Sequence, residues 1–211
     1  MRVVVSMEHS KHFTGKERPP APAMKKTLII LLCSLICGTT VCMGQSKCSS
    51  IADGEISGQT YTNKELGLSY TFPALLTTNP STSLPRGKNG RVLLLLWKTP
   101  PDFEKPNVTI QTDDPSVYPD RTSIGYLHRI ENTAKRYNPP AKIVAGGREY
   151  DFSGIKFYRV DYQFPEPTLT FNTAITGQVG NCEITFQFVA RTQREIETFV
   201  QSINAVRFSK P

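Results

Sequence analysis

The chain has 211 residues, 38% hydrophobic and 20% charged, with 14 Gly and 16 Pro. That composition excludes collagen-like, coiled-coil and wholly disordered chains and leaves one ordinary globular domain with extensions. The formal charge is +7, but residues 1–44 hold six Lys/Arg against two Glu, leaving 19 Lys/Arg against 16 Asp/Glu for residues 45–211. More than half of the basic excess therefore lies outside the expected domain, and a nucleic-acid partner loses its compositional support.

Met24-Lys25-Lys26 opens a stretch, Thr27 to Gly44, that carries no charge. Lys25 and Lys26 form a basic n-region, Leu28–Ile36 an apolar h-region, and Cys42 and Gly44 place small residues at −3 and −1 of a cut before Gln45. These are the three parts of a secretory signal peptide. Residues 1–23 are read as a mis-assigned upstream extension, 24–44 as the signal peptide, 45–59 as a flexible linker and 60–211 as the domain. The expected location is secreted or periplasmic. The alternative is an uncleaved membrane anchor, for which the apolar run is short against the ~20 residues that a bilayer needs. Membrane contact is then expected only through residues 24–44. Of the five cysteines, Cys48 and Cys182 remain after cleavage. Cys182 begins a buried alternating row and Cys48 lies in a polar tail, so both are expected as free thiols.

In chain order, Thr60-Tyr61-Thr62 and Leu68–Phe72 alternate at period two around a turn containing Gly67, which predicts a hairpin. Val92–Trp97 is a run of six apolar residues, the pattern of a central strand covered on both faces. Val108-Thr109-Ile110 follows. Ser123 is read as the cap of an amphipathic helix with Ile124, Leu127, Ile130, Ala134 and Tyr137 on one stripe, ended by Asn138-Pro139-Pro140. Four strands follow: Ile143–Ala145, Ile155–Phe164, Thr168–Thr176 and Cys182–Ala190. In the second, Tyr158, Val160, Tyr162 and Phe164 face one way and Phe157, Arg159, Asp161 and Gln163 the other. Thr192-Gln193-Arg194-Glu195 is a capping box opening a last helix with Ile196, Phe199, Val200 and Ile203 at i, i+3, i+4, i+7. Strands joined by short loops pair antiparallel. The fold class is α+β.

The opening Tyr61-Thr62-Asn63-Lys64-Glu65-Leu66-Gly67-Leu68-Ser69-Tyr70-Thr71-Phe72-Pro73 resembles the PsbP-like proteins, as does the ending with Ile203, Val206 and Phe208. The resemblance spans about residues 60–208. It implies an antiparallel sheet sandwiched by helices, an α/β/α arrangement, and a binding or assembly factor rather than an enzyme. Many relatives place a Gly and an aromatic soon after the Pro, whereas Ala74-Leu75-Leu76 stands here.

The chemistry is sparse. His128 is the only histidine after the signal, so any Ser-His-Asp or Cys-His arrangement must use it; it sits beside the apolar helix stripe and reads as a surface residue. One His and two separated Cys are too few for a zinc site. Asp113, Asp114 and Asp120 are the right ligand type for calcium, but their loop lacks the ordered spacing of a calcium hand and reads as a solvated turn. Glu149, Asp151 and Asp161 offer carboxylates whose separation the sequence does not fix. Arg86-Gly87-Lys88-Asn89-Gly90-Arg91 lacks the spacing of a phosphate loop and precedes a strand. Asn107-Val108-Thr109 matches a glycosylation sequon inside a strand. Neither a cofactor nor a metal is expected.

The aromatics Trp97, Phe103, Tyr118 and Tyr126 are the ones that core rows explain least, and they are candidates for the rim of a ligand cleft beneath the Pro-rich loops. Arg159 and Asp161, with Gln163, Asn172, Glu183 and Gln187, are candidates for a partner surface. The expected function is an exported, non-enzymatic binding or assembly module of the bacterial envelope, its partner an envelope protein or a small ligand. The alternative is a small-ligand carrier or a hydrolase. A carrier needs a deep pocket with converging polar groups; an adaptor needs a flat patch.

Overall fold

The computed structural model describes residues 47–79, 82–100, 105–118, 120–166 and 169–209. The upstream and signal-peptide readings and Phe103 lie outside them. Eleven strands and two α-helices are formed by the described residues, and every strand pair is antiparallel.

The expected hairpin is present as β2 (Thr60–Asn63) and β3 (Leu68–Thr71). Gly67 takes φ +60° in its turn, and a Cβ there would lie 2.3 Å from the Ser209 carbonyl oxygen. Only glycine meets both demands. With β1 (Glu55–Ser57) and β11 (Val206–Phe208), the hairpin makes a four-stranded sheet in the order β1-β2-β3-β11. A seven-stranded sheet runs β4-β5-β6-β10-β9-β8-β7. Its members are β4 (Leu76–Thr77), β5 (Gly90–Lys98), β6 (Val108–Asp113), β7 (Lys142–Phe152), β8 (Ile155–Phe164), β9 (Thr170–Val179) and β10 (Cys182–Ala190). The single sheet expected from the sequence is thus two.

Side-chain alternation divides the seven-stranded sheet into two unlike faces. One face presents Ile110, Phe186, Phe188, Ile175 and Phe157 to Tyr61, Leu68 and Tyr70 of the small sheet and to Ile196, Phe199 and Val200 of α2 (Gln193–Gln201). The other presents Val160, Tyr162 and Ala174 to Leu127 and Ala134 of α1 (Ser123–Arg136). The capping box forms as read: Thr192 Oγ1 accepts from the Glu195 N–H at 3.2 Å. At α1 the cap is Thr122, one residue earlier than expected, accepting from Gly125 N–H at 3.2 Å. Ser123 is freed for a different task, described below.

The run Val92–Trp97 is not a doubly covered central strand. β5 lies second from the sheet edge, and its register shifts between Val92 and Leu94. The irregularity lets adjacent Leu93 and Leu94 both be buried, while Val92 and Leu95 are only half-buried. One extra residue in one strand does what continuous burial on two faces would otherwise require.

The stretch read as a flexible linker is built into the fold from residue 47 onward. Cys48 and Ile51 are buried in the main core, and Thr112 Oγ1 donates to the Cys48 carbonyl at 3.0 Å. Cys48 and Cys182 form a disulfide with Cα atoms 5.6 Å apart, so the free-thiol reading is overturned. Cys182 is indeed buried on its strand; what the reading lacked was Ile51 and Arg91 fastening the tail beside it. Arg91, its side chain wholly buried, donates to the Ile51 carbonyl and to Asp53, and Arg86 reaches Asp53 at 2.9 Å. The basic turn therefore docks the N-terminal segment.

Candidate functional site

The sheet is wider than α1. The helix packs on β7, β8 and β9, and beside it, over β6, β10 and β9, the sheet is left open as a cavity of about 740 Å³. Tyr126, Arg129 and Thr133 line it from α1, and Tyr137 from the cap that ends the helix, spaced so that they form one stripe next to the apolar one. Gln111, Thr185, Gln187, Asn172 and Thr170 line it from the sheet. Tyr162, Phe164, Ile130, Ala134 and Pro139 supply apolar surface, and Lys105 and Arg191 stand on the connections at its edge. The cavity falls within the size of ordinary small-ligand sites.

Its floor is already hydrogen-bonded. The Gln187 amide donates to the Tyr162 hydroxyl at 3.1 Å, and the Asn172 amide to the Thr170 carbonyl at 3.1 Å. The Gln111 amide donates to the Tyr126 hydroxyl at 3.0 Å, and the Tyr126 hydroxyl to Asp113 at 2.7 Å. Tyr118 adds a bond to Asp113 at 3.3 Å. Burial pushes the Asp113 carboxyl above its ordinary range, opposed by the two phenol bonds and by the charge of Arg129. Burial, with the negative charge of Asp113, also pushes the Tyr126 phenol upward.

Behind the floor, Thr185 and Thr176 hydroxyls meet at 3.0 Å, and Thr176 donates to Glu183 at 2.6 Å. Ser123 donates to the other Glu183 oxygen at 3.0 Å, tying the start of α1 to the sheet. Glu183 is 1% exposed, and burial raises its pKa against these two bonds.

Arg129 packs against the tyrosine cluster, bonding to the Tyr118 side chain and facing the charge of Asp113. Its guanidinium lies 3.4 Å from the centroid of Tyr118 and 5.4 Å from that of Tyr126, whose rings are 5.5 Å apart. Its Nη1 is the one buried side-chain polar atom without a hydrogen-bond partner among the described residues.

Of the aromatics singled out in the sequence, Tyr126 lines the cavity and Tyr118 backs Arg129. Trp97 sits half-buried on β5 and is not a lining residue. Arg159 and Asp161 face the opposite side of the sheet, where Asp161 accepts from Arg159 at 2.9 Å, Arg148 at 2.7 Å and Thr173 at 2.6 Å. They are held by one another. Asn172, Glu183 and Gln187, grouped with them from the sequence, are on the cavity face, as the strand registers require. The acidic loop disperses: Asp113 goes to the tyrosines, and Asp114 accepts from the Ser116 N–H at 2.9 Å. Glu149 pairs with Lys156 at 3.1 Å. Asn107, 1% exposed, clamps strands by donating to the Val189 carbonyl and accepting from the Lys98 N–H. His128 is exposed and does not line the cavity. Sequence reasoning missed Arg129, Gln111 and Thr185, and grouped Gln187 with residues of the opposite face. The available signal was the second helix stripe at 126, 129, 133 and 137.

No protein-family model and no curated protein sequence matches the chain. Among solved structures, cyanobacterial PsbP (CyanoP) from Synechocystis sp. PCC 6803 is similar at 14% identity and TM-score 0.51, covering 74% of this chain and 95% of that one. LpqN, involved in cell envelope biogenesis of Mycobacterium tuberculosis, is similar at 14% identity and TM-score 0.40, covering 68% of this chain and 83% of that one. A protein from Bacteroides thetaiotaomicron is similar at 12% identity and TM-score 0.38, covering 76% and 49%. The chain has the PsbP-like fold, mostly antiparallel sheet with two helices. No helix among the described residues is long and apolar enough to cross a membrane.

Proposed function

We propose that the chain is an exported, non-enzymatic binding module of the bacterial cell envelope, and that the cavity beside α1 is where it binds a small ligand. The single observation that carries this is the cavity itself: 740 Å³, walled by aromatics on one side and floored by fixed amides and hydroxyls on the other. Its floor groups are held by one another, so the site is formed before a ligand arrives. Export is supported by the three-part pattern at residues 24–44 and by a disulfide, a bond that persists in oxidising compartments.

Native mass spectrometry of the protein recovered from an exporting bacterium tests the reading. The expected result is a co-purifying non-covalent mass that Thr133→Trp, projecting into the cavity mouth, removes. Bare polypeptide mass in the wild type, together with envelope-protein capture that Thr133→Trp leaves intact, overturns it in favour of a flat adaptor surface.

A further inference from the structure

The cavity is chemically lopsided. All three charged side chains among its described lining residues are cations: Lys105 ahead of β6, Arg129 on α1 and Arg191 after β10. They come from three separate elements, so no single helix or strand pattern accounts for them. Residues 45–211 carry 19 basic against 16 acidic groups, a near balance that does not by itself produce an all-cationic lining.

Hydrogen bonding is lopsided in the same direction. The floor amides and hydroxyls have partners within the protein. An apolar body can therefore cover that floor without stripping groups of their bonds, which would otherwise cost about 1–3 kcal/mol each. What lacks a partner is a donor on a cation, Arg129 Nη1. Asp113, the carboxylate of the tyrosine cluster, is committed to two phenols. An anion supplied from outside would complete the site. A guanidinium fork seated over the Tyr118 ring, with the Tyr126 ring beside it, is of the right chemistry for carboxylate or phosphate oxygens.

Building on the cavity as the binding site, we infer that its ligand is an anionic amphiphile. A carboxylate or phosphate engages the cationic side, Arg129 foremost, and an apolar body lies along Ile130, Tyr137, Tyr162 and Phe164. The two acid types share this chemistry and are separated by the experiment.

Calorimetric titration of the full chain with decanoate, decyl phosphate, decanol and inorganic phosphate, each amphiphile below its micelle concentration, tests the inference. NMR shift mapping on the same samples locates the binding. One or both acids should bind saturably, with shifts at Gln187, Tyr162 and Thr133, and the tighter acid identifies the head group. Decanol and inorganic phosphate should each bind at least about tenfold more weakly. Arg129→Gln should weaken acid binding about tenfold or more while leaving decanol unchanged, the loss expected for a charge-assisted bond. Decanol binding in the cavity as tightly as the acids would overturn the anionic inference and leave the cavity reading intact. Absence of shifts at the cavity with all four probes would overturn both.

Discussion

The two faces of the seven-stranded sheet are made by the same strands, yet they differ in kind. Toward α2 and the small sheet, Phe157, Phe186 and Phe188 are fully buried, and the rings of Phe152 and Phe157 meet tilted with centroids 4.1 Å apart. Toward α1, alternate residues of those strands are Thr176, Thr185, Gln187 and Asn172, and the buried cluster holds only six residues, which a single helix suffices to cover. Placing the apolar side chains on one face concentrates the stabilisation there. The second face is left with enough polarity to hold a cavity and enough rigidity, through its hydrogen bonds, to keep it shaped.

Breaking the first face should have the largest effect. Phe186→Ala is expected to cost about 3–5 kcal/mol in urea unfolding, the range for a buried Phe that leaves a cavity. A loss near 1 kcal/mol would mean that this face is not the main source of stability. Next is the clip that attaches the N-terminal segment to the same core. The disulfide spans 134 residues, and replacing both Cys48 and Cys182 with Ala should cost about 2–5 kcal/mol. Thiol titration of the denatured, unreduced protein should find neither sulfur reactive; two reactive thiols would return both residues to the unpaired state.

On the second face, Ile130→Ala should cost under about 2 kcal/mol, less than a usual buried Ile, because that side chain borders open space. A cost equal to that of Phe186→Ala would erase the contrast. The smallest effect sharpens the comparison through pH. Glu183 has a raised pKa in the folded state, so the folded protein binds its proton more tightly than the unfolded one. Stability from this group is therefore fully present below the unfolded value of about 4.3 and is lost as pH rises through the folded pKa. Asp113 shifts in the same direction and adds to the slope. Glu183→Gln should flatten the fall in stability between pH 4 and 7, leaving the Asp113 part. An unchanged slope would show that Glu183 is not desolvated as drawn.

The apolar rows of both faces were readable from sequence, the α1 stripe and the row from Tyr158 to Phe164 included, and the polar floor of the second face was not, for one physical reason. Apolar alternation, as in Ile184, Phe186 and Phe188 or in Ile196, Phe199 and Val200, reports burial directly. The partners of Thr185 or Gln187 depend on which strand lies alongside, and that is a property of topology. The irregularity at Leu93 hid in an unbroken apolar run. The tail at Cys48 looked free because its polar residues outnumber Ile51, although Cys48 and Cys182, the two cysteines after residue 44, were a signal for pairing. Tyr126, singled out for a cleft beneath the Pro-rich loops, lines the cavity beside α1 instead, and a charge on a helix such as Arg129 gives no apolar signal to read.

The four-stranded sheet is assembled from the two extremities of the domain, with Val206–Phe208 pairing to Leu68–Thr71 and Ser209 N–H reaching the Gly67 carbonyl at 2.8 Å. Synthesis runs from one extremity to the other, so this sheet is incomplete until β11 has emerged. The Leu- and Phe-rich strands made earlier must wait, unroofed, for α2 and β11 to arrive. Non-local closure of this kind slows folding and lengthens the exposure of sticky segments. The order of translation thus sets the moment at which the molecule can first become itself, and a chain stalled just before β11 would carry every other strand and still have no finished core.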